Sequence, residues 1–316
     1  MNDAICLAYP VVTLEGQVLL PAGTMLSEQV LAEIAAAGRM VPRDQANLLA
    51  YGRIREDLER CLAMTPYDAV FGNAVAVEAL IAGLDSVRLP GPLLRVLDYF
   101  RANDFHTYRH ILTVFALASL VAEDVVPGYH GHADKILAGP THDFGKLCIP
   151  LAILKKSSPL SRQERRMLDH HPLAGQVLLT YYFGDHRHPA VIVARDHHER
   201  RDGTGYPRGI TDLQPIVELI AACDVYDALL APRPYRPLSY DNRTALEELT
   251  IMAEEGKLSW ESVAALVARN RKGQPATAEI VVSRDRRGVP PTGNCYGMLA
   301  EDEDVSGEPR PSALPV

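Results

Sequence analysis

The sequence lacks several features that would settle its class at once. Its five cysteines (Cys6, Cys61, Cys148, Cys223, Cys295) are odd in number, scattered, and never form a CxxC pair. That excludes a disulfide scaffold and points to free thiols in a reducing, cytoplasmic compartment. No long hydrophobic run occurs. The longest clearly apolar stretch, Val114–Ala122, is far short of the roughly 20 residues that cross a bilayer, so no membrane span is expected. The opening MNDAICLAYP has no basic n-region and no long apolar segment, so no signal peptide is expected. Basic charge is in deficit: 32 Lys+Arg against 40 Asp+Glu give a net charge of -8. This argues against a bulk nucleic-acid-binding surface. Histidine is absent before residue 106 and after residue 198, although the chain has 11 of them.

What is present fits a globular protein. The 316 residues are 47% hydrophobic and 23% charged, enough for two domains, or one large domain with an appendage, and a sizeable core. Residues 1–65 read as a small α+β module. Ala8–Thr13 and Gln17–Leu20 are candidate strands around a Glu15-Gly16 turn. Ser27 can cap a helix carrying Val30, Leu31, Ile34 and Ala35, and Gly38 can end it.

Residues 66–270 read as an all-α bundle. Helices are expected over Ala69–Leu84, Leu93–Arg101, Tyr108–Ala122, Arg162–Phe183, Pro189–His198, Ile216–Leu230, Thr244–Glu255 and Ser259–Asn270, with no convincing strand between them. Tyr108–Ala122 is apolar on nearly every face and should be central. Residues 271–316 are rich in Gly, Pro and charge and read as an irregular extension, with one candidate strand at Ile280–Ser283. The fold expected is therefore mainly α.

The confined histidines mark where chemistry is expected, since imidazole titrates near neutrality and is the commonest metal ligand. Adjacent residues on a helix point about 100° apart, so His142-Asp143 can reach one metal, or two neighbouring metals, only near a helix end. Gly145 suggests such an end. A carboxylate has two oxygens and can bridge two cations, which makes Asp143 the natural bridging ligand. Taken singly, His110 reads better as a buried core histidine than as a ligand, and Asp224 as a cap or ion-pair partner. The adjacent His197-His198 are more telling, because two imidazoles at a helix end rarely serve packing. His130, His132, His186 and His188 sit in polar surroundings and read as surface residues. Together, His110, His142, His171, His197 and His198 with Asp143 and Asp224 supply enough N and O donors for two metals. A thiolate-free set fits Fe, Mn or another first-row divalent ion better than structural zinc. Four residues beyond His198, DGTGYPRG offers three glycines for close backbone approach and Tyr206 for an aromatic face. It should lie at the mouth of the site and position a substrate.

HDFGK, HHPLAG, HHERRDGTGYP and DVYDAL, in that order, resemble the HD-GYP domains, a subgroup of the HD metal-dependent phosphohydrolases, over about residues 100–270. The HHExxDGxGYP pattern is complete. The resemblance implies an HD-type helical bundle that hydrolyses cyclic di-GMP to the linear dinucleotide pGpG and, in some members, GMP. By motif it implies the metal ligands His110, His142, Asp143, His171, His197, His198 and Asp224, with His142, Asp143 and Lys146 as the catalytic group. It places Lys146, Arg200, Asp202, Gly203, Gly205, Tyr206 and Pro207 at the substrate, with Arg233 and Arg236 in a basic segment beside it. GQVLLPAGTMLS resembles a small module found ahead of such domains, which suggests a signalling partner for residues 1–65. A homodimer is the other partner reading.

Two departures stand out. Some members carry a glutamate four residues before the first histidine that helps hold a third metal. Here that position is His106, on the same face as His110 and the candidate for an extra ligand. We expect two metals. Gly139-Pro140 should kink the helix before His142. The alternatives are a non-catalytic module binding cyclic di-GMP or a protein, and a phosphohydrolase for another cyclic dinucleotide such as a cyclic GMP–AMP.

Overall fold

A computed structural model describes residues 5–41, 43–232, 238–283, 285–292 and 299–300; Arg233, Arg236 and Cys295 lie outside the described residues. Four short strands open the chain: β1 (Ile5–Cys6), β2 (Val11–Val12), β3 (Val18–Leu20) and β4 (Met25–Leu26). β1 pairs with β4 and β2 with β3, both antiparallel. The first expected strand shortens to Val11–Val12 because Pro10, directly before it, has no N–H for a ladder. α1 (Glu28–Arg39) begins where the Ser27 side chain accepts from the Val30 N–H. It does not stop at Gly38. A Cβ there would lie 1.9 Å from the Tyr181 carbonyl oxygen, so this glycine is a crossing point between helices rather than a terminator.

Next come β5 (Gln45–Asn47), α2 (Ile54–Leu62), α3 (Asp68–Phe71), α4 (Ala74–Leu84) and β6 (Arg88–Pro90). The expected helix over 69–84 is divided, because the Asn73 side chain accepts from the Val75 and Ala76 N–H groups and starts α4 afresh. β6 pairs with β5, so one strand does occur within 66–270.

The rest is helical: α5 (Gly91–Asn103), α6 (Phe105–Val125), α7 (Ala133–Ile136), α8 (Ala138–Thr141), α9 (Leu151–Leu154), α10 (Arg162–Leu168), α11 (His171–Phe183), α12 (Pro189–Asp196), α13 (Pro215–Leu230), α14 (Asn242–Glu254) and α15 (Trp260–Arg269). The fold is mainly α, as the periodicity predicts. α6 is buried from Tyr108 through Ala122 on nearly every face and packs against α5, α8, α13 and α15. One continuous apolar core runs from Leu7 to Val267.

Two further expectations change. The helix expected over 162–183 is two helices, since Pro172 has no N–H to give Leu168, four residues back. Ile280–Ser283 is not a strand; a 3-10 turn at Thr277–Glu279 precedes it, and Ile280 and Val282 pack on the core without a ladder partner among the described residues.

Candidate metal centre

Five elements bring the donors together. Asp104 caps α6 through the Thr107 N–H at 3.3 Å, which sets His110 in the second turn. α8 ends at Thr141, so His142 and Asp143 leave the helix at its terminus, as the adjacent-pair argument requires. Pro140 has no N–H for the Ile136 carbonyl, and the helical run breaks there into α7 and α8. Gly139 fits because a Cβ would press on Phe115 of α6 at 3.2 Å. His171 opens α11, His197-His198 follow α12, and Asp224 faces inward from α13.

The donors form two groups. His110, His142 and Asp224 make one; His171, His197 and His198 make the other, with the ligand atoms of each group within 4.8 Å of one another. Asp143 stands between them. Its Oδ2 is 3.5 Å from His110 Nε2 and 3.6 Å from His142 Nε2. Its Oδ1 is 3.4 Å from His171 Nε2 and 3.7 Å from His197 Nε2. One carboxylate oxygen thus faces each group.

Most of the imidazoles are anchored at their other nitrogen. His142 Nδ1 lies 2.8 Å from the Gly139 carbonyl, and His171 Nδ1 2.7 Å from the Leu168 carbonyl that Pro172 leaves free. His197 Nδ1 lies 3.1 Å from the Val193 and Ala194 carbonyls. His110 Nδ1 lies 2.6 Å from Asp227 Oδ2. With Nδ1 donating, each Nε2 presents a lone pair. These lone pairs converge: His110–His142 Nε2 atoms are 3.4 Å apart and His171–His197 3.3 Å, while His198 Nε2 lies 3.1 Å from His171 Nε2. Facing lone pairs repel unless a cation lies between them, so the arrangement fits metal ions rather than a closed hydrogen-bonded core.

Electrostatics support the same fit. Burial drives His142 down to about 4 and His171 down to about 3. Burial, with its histidine neighbours, also holds His198 well below the ordinary range. Neutral imidazoles are the ligating form. For Asp143, burial pulls upward, but Lys146 and the facing imidazoles outweigh it and hold the carboxyl well below its ordinary value. Asp224 behaves alike, with His110 as the main counterweight to burial. Lys146 Nζ donates to Asp143 Oδ2 at 2.5 Å.

The glycine-rich loop closes over the second group. The Tyr206 ring stacks on His198, centroids 4.7 Å apart at 18°. The Tyr206 N–H donates to the His198 carbonyl at 3.2 Å. Gly205 permits this turn: a Cβ would lie 2.4 Å from Glu199 Cα and Arg200 N. Buried Glu199 braces the loop by accepting from the Arg208 and Ile210 N–H groups at 2.7 and 3.2 Å. Arg200 Nη1 donates to the Glu199 carbonyl at 2.9 Å, and Asp202 accepts from the Thr204 N–H at 3.0 Å.

An HD domain family profile matches residues 88–258, more than half of the chain. The chain belongs to the HD-domain family. Its relatives are consistent with an HD-GYP protein. This HD-domain protein is 34% identical over 148 residues to the cyclic di-GMP phosphodiesterase response regulator RpfG of Xanthomonas campestris pv. campestris, covering 46% of this chain and 38% of that one. It is 35% identical over 179 residues to the cyclic di-GMP phosphodiesterase PA4108 of Pseudomonas aeruginosa, covering 54% and 42%. It is also 35% identical over 141 residues to 3'3'-cGAMP-specific phosphodiesterase 1 of Vibrio cholerae, covering 43% and 31%. The chain thus spans less than half the length of these relatives.

Not every expected residue joins the HD-domain site. His106 is half-buried and belongs to neither donor group. Arg233 and Arg236 lie outside the described residues. Gly145 serves close approach rather than chain reversal: a Cβ would lie 1.8 Å from the His171 carbonyl oxygen. His188 is not a surface residue. It accepts from the Ala190 N–H at 3.1 Å and stacks on Phe183 at 4.2 Å. His186 is mostly covered and pairs with Glu28 at 3.0 Å; His132 is exposed, and the His130 side chain is outside the described set.

Two residues escaped the sequence reading. Asp227 orients His110, and its signal was present: Asp224 and Asp227 stand three apart in DVYDAL, on one helical face. The other is Glu199, whose place inside HHERRDGTGYP hides that its carboxylate holds the loop.

Proposed function

We propose that this HD-domain protein is a phosphodiesterase that hydrolyses cyclic di-GMP to linear pGpG, with two divalent cations as cofactors. The observation that carries the reading is Asp143, one oxygen toward each convergent donor group. His110, His142 and Asp224 would hold one ion, His171, His197 and His198 the other, and Asp143 would bridge them. A thiolate-free N and O set suits Fe or Mn. When bound, such a pair neutralises charge on a phosphoryl group and makes a nucleophile available at neutral pH.

The chain's own groups do the rest. Lys146, 15% exposed at its side chain and seated on Asp143, supplies positive charge toward a bound phosphate. The 202–207 loop forms one wall. Tyr206, already stacked on His198, presents an aromatic ring suited to a nucleobase. Arg200, whose Nη1 donates to the His197 and Glu199 carbonyls beside the loop, would supply charge toward an anionic substrate there. Gly203, Gly205 and Pro207 shape that wall, and Asp202 stiffens it through its Thr204 contacts.

Residues 1–65 fit an input module for a signalling partner, and 66–270 the phosphohydrolase domain. Support comes from their contacts with donor-bearing segments. Gly38 of α1 crosses α11 at Tyr181, the Tyr9 ring meets His170 edge-on at 5.5 Å, and Cys148 Sγ contacts the Val12 carbonyl at 3.5 Å. No helix among the described residues is long and apolar enough to cross a membrane.

A second substrate is favoured by one observation: several relatives are named 3'3'-cGAMP-specific phosphodiesterases. The test is anaerobic purification with iron or manganese, then hydrolysis assays on cyclic di-GMP and 3'3'-cGAMP, with an H142A/D143A control. Linear pGpG from the wild type alone supports the proposal. Faster turnover of 3'3'-cGAMP transfers it to the second substrate. Binding without product supports a non-catalytic module.

A further inference from the structure

Tyr67 lies outside the matched HD region (88–258), yet its side chain ends at the candidate centre. It stands at the start of α3, where Tyr67, Val70 and Phe71 are buried. Its hydroxyl donates to Asp227 Oδ1. The other oxygen of the same carboxylate, Oδ2, lies 2.6 Å from His110 Nδ1. His110 Nε2 lies 3.0 Å from Asp224 Oδ1 within the first donor group. Tyr67, Asp227 and His110 are 2%, 0% and 1% exposed, so water does not compete for these contacts.

We propose that Tyr67 is a positioning residue for the His110–His142–Asp224 group, acting through Asp227. The inference rests on the metal reading above. Each donor on a buried carboxylate restrains rotation about its Cβ–Cγ bond, and Tyr67 and His110 restrain opposite oxygens of Asp227. With donors on both oxygens its plane is fixed. The fixed oxygen keeps the proton on His110 Nδ1 and aims the Nε2 lone pair into the group. Partners behind a metal-bound imidazole set its tautomer and orientation in this way. The residue that completes the arrangement comes from the segment ahead of the HD region, so the preceding chain takes part in assembling the centre.

The test uses full-length protein, histidine-labelled with 15N, with Tyr67→Phe as the variant and the Tm of the metal-free proteins as a folding control. In the metal-free wild type, His110 Nδ1 is expected to carry a proton directed at Asp227, whatever Nε2 does toward Asp224. In Y67F His110 is expected as a mixture of the two tautomers. Chelator competition with Mn2+ should show one ion held ~10-fold more weakly in Y67F and the other unchanged. Wild type binding two ions while Y67F matches it at both overturns the proposal. So does a His110 in the metal-free wild type whose Nδ1 carries no proton, a measurement that needs no variant. Wild type binding no ion sinks the metal reading instead, and the tautomer result then judges Tyr67 alone.

Discussion

The His110–His142–Asp224 group has a carboxylate of its own and another, Asp227, behind it. The His171–His197–His198 group is all imidazole; the Nδ1 hydrogen bonds of His171 and His197 go to the backbone carbonyls of Leu168, Val193 and Ala194, and His198 Nδ1 lies 3.8 Å from Asp224 Oδ2. Either partner fixes an imidazole's direction and raises its basicity, and a charged carboxylate does the latter more strongly than a neutral carbonyl. The first group should therefore hold its ion more tightly, with its strength residing in a few side chains. The second depends on where helix ends fall, so it should respond most to changes in packing.

The largest effect expected is at Gly145, where a Cβ would strike the His171 carbonyl and lie 2.5 Å from the Gly175 nitrogen. Backbone cannot yield as a side chain can, so Gly145→Ala should cost about 3 kcal/mol or more. It should also empty the all-imidazole group first, read by a thermal melt and metal counting. Asp227→Asn should do the reverse, weakening the first group's ion by about 10–100-fold while sparing the second. Equal losses at both groups would erase the distinction. Glu199→Gln loses a charged acceptor for two loop N–H groups, a change of about 1.5–3 kcal/mol in local order. It should raise KM more than it lowers kcat. Pro172→Ala restores an N–H that competes for the Leu168 carbonyl, and should loosen the second group's ion by a few-fold only, in a chelator titration.

The contrast also shows what the sequence can express. Helix type was legible because apolar spacing is local: the buried run of α6 reads directly from residues 108–122. The two histidine groups could be suspected from the sequence only in combination, because His110 and Asp224 taken singly read as a core residue and a cap. Breaks and contacts were less so. Gly38 and Gly145 look like stops in one dimension, but the reason for each is a backbone from a distant helix. His188 sits among polar residues in sequence, and only the fold puts Phe183 against its face. Asp227 was within reach of an i, i+3 argument, whereas no local signal ties Tyr67 to a centre whose next donor is His110.

The central claim is that one carboxylate, Asp143, serves two metal positions. Metal counting on anaerobically purified wild type and Asp143→Ala, after dialysis against a weak chelator, tests it most directly. Two ions per chain are expected in the wild type, one for each donor group, and depletion of both in the variant. A variant that keeps one ion at full affinity, or a wild type that holds a single ion, would contradict it.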